Sequence, residues 1–218
     1  NLPYMKNLYL TSIFCICAAL NSAQAADAAG DGAADPCAEF RYSTRLNMTT
    51  SYGKLNYNYD YDRRSLTLLG QKYGLVEPGM HASGLSLFGI DWSVSLNTVA
   101  RVGAGDTICV LPTSLDVFIG FREPTIYIDN GLKKDGCRYN LVLRHEHQHQ
   151  QVSIAALEYF MPRIRAEIQK ALPVVRPRAV ASLSATDAAT EEMNGEYIRL
   201  IRPLVNDTVS PSGWQLRT

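Results

Sequence analysis

The residues best suited to chemistry are concentrated in one short stretch, which holds three of the four histidines as His145, His147 and His149. His145 and His149 are four residues apart, so on a helix they share one face and can hold one zinc ion (Zn2+) between them. Glu146 follows His145 and completes the pattern H-E-x-x-H, in which the glutamate is the general base for a zinc-activated water. The spacing therefore predicts a hydrolytic zinc site with His145 and His149 as ligands and Glu146 as base.

The middle histidine, His147, is predicted to lie outside the ligand set. It is two residues from each of the other two histidines, so on a helix it points to a different face. We expect it to face solvent or to support the site from behind. The alternative for the whole stretch is a solvated helix face that is rich in His and Gln and binds no metal.

A catalytic zinc site needs a third protein ligand. The extension that would supply another histidine on the same helix is missing, because Ala155 stands at that position. The C-terminal helix offers Glu192 and Glu196, which share one face by their spacing. We predict that Glu192 is the third ligand and that Glu196 orients a histidine through a hydrogen bond. A solvated acidic face would give the same pattern, and the other candidates for the third ligand are Glu191, Asp187 and His81.

Hydrolysis of a carbonyl compound also requires a donor for the developing oxyanion. Tyr197 is the predicted donor, and His81 and Tyr139 are alternatives. Each tyrosine could instead be a half-buried core residue, since that is the commoner role of the side chain.

The N-terminus has the pattern of an export signal. Met5-Lys6 precedes an apolar run of 13 residues, Leu8–Leu20, and Ala23-Gln24-Ala25 forms a small-residue cleavage site. We expect a signal peptide over residues 1–25, so that the mature protein is periplasmic or secreted and is not inserted in a membrane. An uncut anchor is the alternative, but a bilayer span needs ~20 apolar residues.

Three cysteines remain after that cleavage, at positions 37, 109 and 137. An exported protein can keep a disulfide, and we expect it between Cys109 and Cys137. Cys37 is expected to be the unpaired one. It lies in residues 26–39, which are dominated by small residues and are predicted to be a disordered linker.

The remaining residues, 40–218, are predicted to form one α+β domain. Lys+Arg and Asp+Glu are both 21, so no basic excess points to nucleic acid. A small, mostly antiparallel sheet is expected between about residues 45 and 130, followed by the long metal-binding helix and a second C-terminal helix. The strand, turn and helix segments behind this prediction are 55–61 (strand), 62–64 (turn), 65–69 (strand), 92–102, 107–111, 115–121 and 125–128 (strands), 139–172 (helix, with Pro162 inside) and about 184–201 (helix, ending before Pro203).

With these residues identified, the chain resembles the zincin metallopeptidases of the gluzincin type. The H-E-x-x-H match is complete, and the segment Thr125–Leu172 is also similar to uncharacterised bacterial secreted proteins described as zinc-dependent proteases. In those proteins strands and a cysteine precede the metal helix, as Cys137 does here. The resemblance implies a peptide or protein substrate and a second-helix glutamate ligand. Glu196 departs from the pattern, because gluzincins commonly have Asp there.

Three functions are consistent with these residues. The first is an exported zinc endopeptidase whose segment Thr125–Asp129 binds an extended peptide by strand addition. The second is a non-catalytic zinc-binding envelope interaction module. The third is a zinc hydrolase that acts on a cell-wall bond or another non-peptide bond.

Overall fold

The computed structural model describes residues 35–209, which form an α+β fold as predicted. Most strands of two sheets precede two long helices, and one short strand lies between the helices. The elements are β1 (Arg45–Ser51), β2 (Asn56–Asn58), α1 (Arg63–Lys72), β3 (Gly84–Leu87), β4 (Ile90–Val102), β5 (Ile108–Phe121), β6 (Thr125–Ile128), α2 (Cys137–Ala171), β7 (Arg178–Val180) and α3 (Thr186–Val209).

The larger sheet is built on a long antiparallel hairpin of β4 and β5, with a register shift between Asn97 and Thr98. On the other side of β5, β1 pairs in parallel and β7 pairs antiparallel with the first residues of the strand. The predicted segments 107–111 and 115–121 are therefore one continuous strand. Buried side chains of β5 such as Val117, Ile119 and Phe121 form the sheet's contribution to the main core.

The smaller sheet has the order β2-β6-β3, so β6 is its central strand. β2 pairs with β6 in parallel and β3 pairs with it antiparallel. The strand pairs are mostly antiparallel, as predicted, but the expectation of a single sheet is wrong, because there are two sheets and each contains one parallel pair. A parallel pair requires a crossover between its strands, and the crossovers from β1 to β5 and from β2 to β6 carry α1, β3 and β4.

Helix α1 stands where a turn and a strand over residues 62–69 were predicted. Asp62 is its N-cap, and the Oδ1 atom of Asp62 accepts a hydrogen bond from the backbone N–H of Ser65 at 2.7 Å. Leu66 and Gly70, one helical turn apart, form its buried face. The prediction of a turn and a strand here is wrong, since a capping aspartate and a four-residue repeat of buried positions specify a helix.

The two long helices pack on the larger sheet. α2 begins two residues before its predicted start, and α3 ends about eight residues after its predicted end. α2 runs through Pro162 and α3 runs through Pro203. Both prolines are solvent-exposed, so water can solvate the carbonyl that each leaves without a partner. In α3 a buried stripe repeats every four residues, at Met193, Tyr197, Ile201 and Val205. No helix within residues 35–209 is both long enough and apolar enough to cross a bilayer.

The disulfide joins Cys37 to Cys109, and Cys137 is free and exposed. The predicted Cys109–Cys137 bond is therefore wrong, and so is the assignment of Cys37 as unpaired. Cys37 is buried against Cys109 and Leu111 in a small cluster of its own. Residues 35–39 accordingly form an anchored turn, in contrast to the predicted disordered linker. The predicted signal peptide 1–25 and residues 26–34 lie outside the described residues.

Removal of this disulfide by the paired changes Cys37→Ala and Cys109→Ala should destabilise the protein. The bond closes a loop across a sequence separation of 72 residues, so its loss should lower the free energy of unfolding by about 4 kcal/mol on the chain-entropy account. Urea unfolding followed by circular dichroism measures the change. Cys137→Ala is the matched control and should leave the urea midpoint unchanged. Equal midpoints for the paired variant and wild type would contradict the structure.

Candidate metal centre

The two predicted zinc ligands converge at one point on α2. The Nε2 atoms of His145 and His149 are 3.0 Å apart, and their rings meet edge to face. Two imidazole nitrogens bound at 2.0–2.1 Å to one tetrahedral zinc ion are about 3.3 Å apart. The same separation also suits a hydrogen bond between one neutral imidazole and the other. The donor set and its spacing therefore fit zinc with a movement of a few tenths of an ångström.

The first turns of α2 are held by the smaller sheet. Tyr139 is buried against Ile126 and Ile128 of β6, and Val142 and Leu143 pack on the same cluster. Since successive helical residues are rotated by about 100°, the face of α2 that carries residues 142 and 146 meets the sheet. His145 and His149 are exposed on the side that faces the adjoining cleft.

Glu146 follows His145 on α2 and is only 4% exposed. Its Oε2 atom accepts a hydrogen bond from the hydroxyl of Ser86 on β3, with an oxygen–oxygen distance of 2.6 Å. A Cβ atom added to Gly84 would lie 2.6 Å from the Oε1 atom of Glu146. The carboxylate therefore occupies the gap between α2 and β3.

An open cleft of about 2010 Å³ contains all of these groups. All four residues of β3 line it, and so do His145, Glu146 and His149 of α2. The lining also includes apolar side chains that are exposed to solvent, namely Leu75, Met80 and Leu141. A water molecule and a bound segment of another molecule can therefore reach the histidine pair from solvent.

His147 lies away from the cleft, as predicted. Its Nε2 atom is 3.2 Å from the hydroxyl of Tyr57, and its Nδ1 atom is 3.4 Å from the Oε1 atom of Gln150. Both ring nitrogens of His147 thus have partners, and these lie away from the face of α2 that carries His145 and His149. His147 ties β2 to the helix and is not part of the donor pair.

The structure does not bring the predicted residues of α3 to the histidines. Asn206, near the end of α3, lines the cleft, whereas Glu192 and Glu196 precede it by 14 and 10 residues. These intervals place Glu192 and Glu196 about 21 Å and 15 Å from Asn206 along the helix axis. Glu192 is exposed, and Glu196 forms an ion pair with Arg178 where we expected a histidine.

Tyr197, the predicted oxyanion donor, belongs to the main core. Its side chain is fully buried, and its hydroxyl donates a hydrogen bond to the backbone carbonyl of Leu172 at 2.8 Å. Burial raises the pKa of Tyr197. Tyr197 is therefore a core residue, which was the alternative given for it in the sequence analysis.

The remaining candidates for the third ligand are divided by their positions. His81 lines the cleft, whereas Glu191 and Asp187 are exposed residues of α3 that do not. Within residues 35–209, no group of three or more His, Cys, Asp or Glu side chains is arranged to hold a metal ion. The zinc donors that the described residues bring together are thus His145 and His149.

Sequence reasoning missed Ser86 and Gly84, the two residues of β3 that contact Glu146. A weak signal was present, because the stretch Gly84-Leu-Ser-Leu87 alternates small and large side chains. In a strand that pattern places the small residues on one face and allows another backbone or side chain to approach closely.

No protein-family model, curated protein or solved structure matches the chain. The zincin resemblance therefore stays a prediction carried by His145, Glu146 and His149.

Tyr139, the alternative oxyanion donor, packs α2 against the smaller sheet instead. Its hydroxyl lies 3.1 Å from the hydroxyl of Tyr59. That hydrogen bond, reinforced by burial, raises the pKa of Tyr139 to about 12. The native state therefore keeps a proton that the unfolded chain releases above the ordinary pKa of 10.0.

A raised pKa of this kind predicts a loss of stability in alkali. The contribution of Tyr139 should be complete below pH 10 and should disappear as the pH rises towards about 12. In Tyr139→Phe the fall in the free energy of unfolding over this interval should be shallower than in wild type. Denaturant unfolding at several alkaline pH values measures it, with Tyr159→Phe, an exposed tyrosine of α2, as the control. Identical slopes in wild type and Tyr139→Phe would refute the assignment.

Proposed function

We propose that the chain is an exported zinc-dependent hydrolase of peptide bonds, in which His145 and His149 bind the metal and Glu146 is the general base. The observation that carries the proposal is the convergence of the two Nε2 atoms, 3.0 Å apart, in an open cleft that the Glu146 carboxylate also lines. A zinc ion with a neighbouring carboxylate base needs two converging imidazole nitrogens and a carboxylate beside one cleft, and this arrangement supplies both.

Each residue has a definite task in this reaction. A zinc ion held by the histidines would supply a Lewis acid that polarises the substrate carbonyl and acidifies a coordinated water. Glu146 accepts a proton from the attacking water as the new C–O bond forms. It then delivers that proton to the departing amine as the C–N bond breaks, so the carboxylate ends the cycle as it began.

The substrate would bind as an extended strand along β3. The segment Thr125–Asp129, which we expected to accept the peptide, contains β6, and both edges of β6 are already paired. β3 is an edge strand of the smaller sheet, and all four of its residues line the cleft. Strand addition to a sheet edge uses backbone hydrogen bonds, which suits a polypeptide better than a carbohydrate.

His81 is the candidate third ligand that the proposal retains, and it would have to move to join the pair, since the described residues form no group of three donors. It is the one reserve candidate that lines the cleft, and it is an exposed side chain that precedes β3 by three residues. Glu192 and Tyr197 have no part in the proposed site, because α3 holds them elsewhere.

The alternative function is a non-catalytic zinc-binding interaction module of the cell envelope. It is favoured by the small number of donors, since two histidines come together and the described residues add no third ligand at contact distance. Such a module would bind zinc and partner proteins but would not hydrolyse peptides, so the substitution of Glu146 separates the two functions.

Export is part of the proposal. The disulfide between Cys37 and Cys109 is of the kind that persists in oxidising compartments. The N-terminal sequence has the order of a signal peptide. Together they favour a periplasmic or secreted protein.

The metal site predicts about one zinc per chain of the mature protein, residues 26–218, the number that a single site requires. His149→Ala should abolish this zinc, because one donor of the converging pair is lost. His147→Ala is the matched control and should retain it, because His147 contacts Tyr57 and Gln150 instead. Elemental analysis after dialysis measures the content, and circular dichroism verifies folding. Equal zinc in wild type and a folded His149→Ala variant would overturn the site.

The catalytic role predicts that Glu146→Gln keeps zinc but loses hydrolysis. Loss of a general base lowers the rate by roughly 10²- to 10⁴-fold, measured by mass spectrometry on a peptide library. Ser153→Ala, a change in the same cleft, is the control and should retain activity. A zinc-loaded wild type that cleaves nothing would favour the interaction module over the hydrolase.

A further inference from the structure

We infer that Ser86 is a positioning residue that holds the Glu146 carboxylate in place for the reaction, an inference that rests on the proposed function. The hydroxyl of Ser86 lies 2.6 Å from the Oε2 atom of Glu146 and 3.1 Å from the backbone carbonyl oxygen of Glu146. One hydroxyl hydrogen cannot serve both acceptors fully. The shorter distance is typical of a charge-assisted bond to an ionised carboxylate.

The Ser86 hydroxyl is the hydrogen-bond partner that the structure gives the Glu146 carboxylate within residues 35–209. The Glu146 side chain is only 4% exposed. A buried carboxylate that loses its hydrogen bond carries a desolvation cost. Without Ser86, Glu146 should therefore rotate towards solvent in the open cleft.

Gly84 restricts the carboxylate from the other side. An added Cβ atom would lie 2.6 Å from the Oε1 atom of Glu146 and 2.6 Å from the Cγ1 atom of Val142. Gly84 and Ser86 alternate along β3, so both face α2. Ser86 thus fixes one carboxylate oxygen, and the absence of a side chain at Gly84 leaves room for the other.

This arrangement gives β3 two tasks. The strand whose edge would receive the substrate also holds the base that acts on it. A substrate paired with β3 would then have a fixed position relative to Glu146, because the same four residues would contact both. Since small misplacements of a catalytic group cost large factors in rate, Ser86 should affect kcat far more than KM.

The first test needs neither zinc nor substrate. A double-mutant cycle of Ser86→Ala and Glu146→Ala, measured by urea unfolding of the metal-free protein, gives the coupling between the two side chains. We expect at least a tenfold coupling in the folding equilibrium constant, the size found for hydrogen bonds to charged groups. A cycle of Ser153→Ala with Glu146→Ala is the matched control and should show no coupling. No coupling in the Ser86 cycle would overturn the inference whatever the activity of the protein.

The second test uses the zinc-loaded mature protein and the peptide found by library cleavage. Ser86→Ala should lower kcat by roughly 10- to 100-fold and leave zinc content and KM unchanged. Ser86→Thr, which keeps the hydroxyl, should restore most of the rate. Gly84→Ala should lower kcat as well, because it displaces the carboxylate without removing its donor.

The outcomes separate the two proposals. An unchanged kcat in Ser86→Ala, or a loss of rate that follows a loss of stability and zinc, would reduce Ser86 to a structural residue. Absence of hydrolysis in wild type and Glu146→Gln alike would overturn the proposed function, and the metal-free cycle would still decide whether Ser86 holds the carboxylate.

Discussion

The contact of β3 with α2 around a buried carboxylate is the constraint on which the candidate site depends. Glu146 is 4% exposed and faces a sheet, so its charge needs a donor at the interface. Ser86 supplies that donor, and Gly84 allows the strand to approach the helix closely. These contacts of Ser86 and Gly84 with Glu146 fix the rotation of α2 about its own axis. His145 and His149 consequently face the cleft.

α2 can satisfy this constraint because it belongs to two cores. Its first turns pack on the smaller sheet through Tyr139 and Val142. Its later turns bury Leu157, Ile164 and Ile168 against the larger sheet. At 35 residues the helix is about 50 Å long, so each sheet holds a different part of it. The histidines lie between the two anchored regions, on a rigid element, where a metal site retains its geometry.

The sequence was informative where the determinants are local. A spacing of four residues places His145 and His149 one helical turn apart on the same face of a helix, so their convergence could be predicted. His147 was also assigned correctly by its phase on the helix. One error was local, because the helical cap at Asp62 was overlooked. The other errors concern contacts between distant segments, and the partner of Cys109 could not be deduced from spacing alone. The role of Glu192 failed because periodicity gives the face of a residue but not its position along a neighbouring helix.

The disulfide has a consequence for the order in which the chain matures. A polypeptide emerges from the ribosome or a translocation channel with its N-terminus first. Cys37 and Cys109 both precede the free thiol of Cys137, so the native bond joins the first two cysteines of the segment 26–218 to emerge. Oxidation during emergence can therefore close the native loop before a competing thiol arrives. Oxidation of the completed, unfolded chain would instead have to select this pairing from three possible ones.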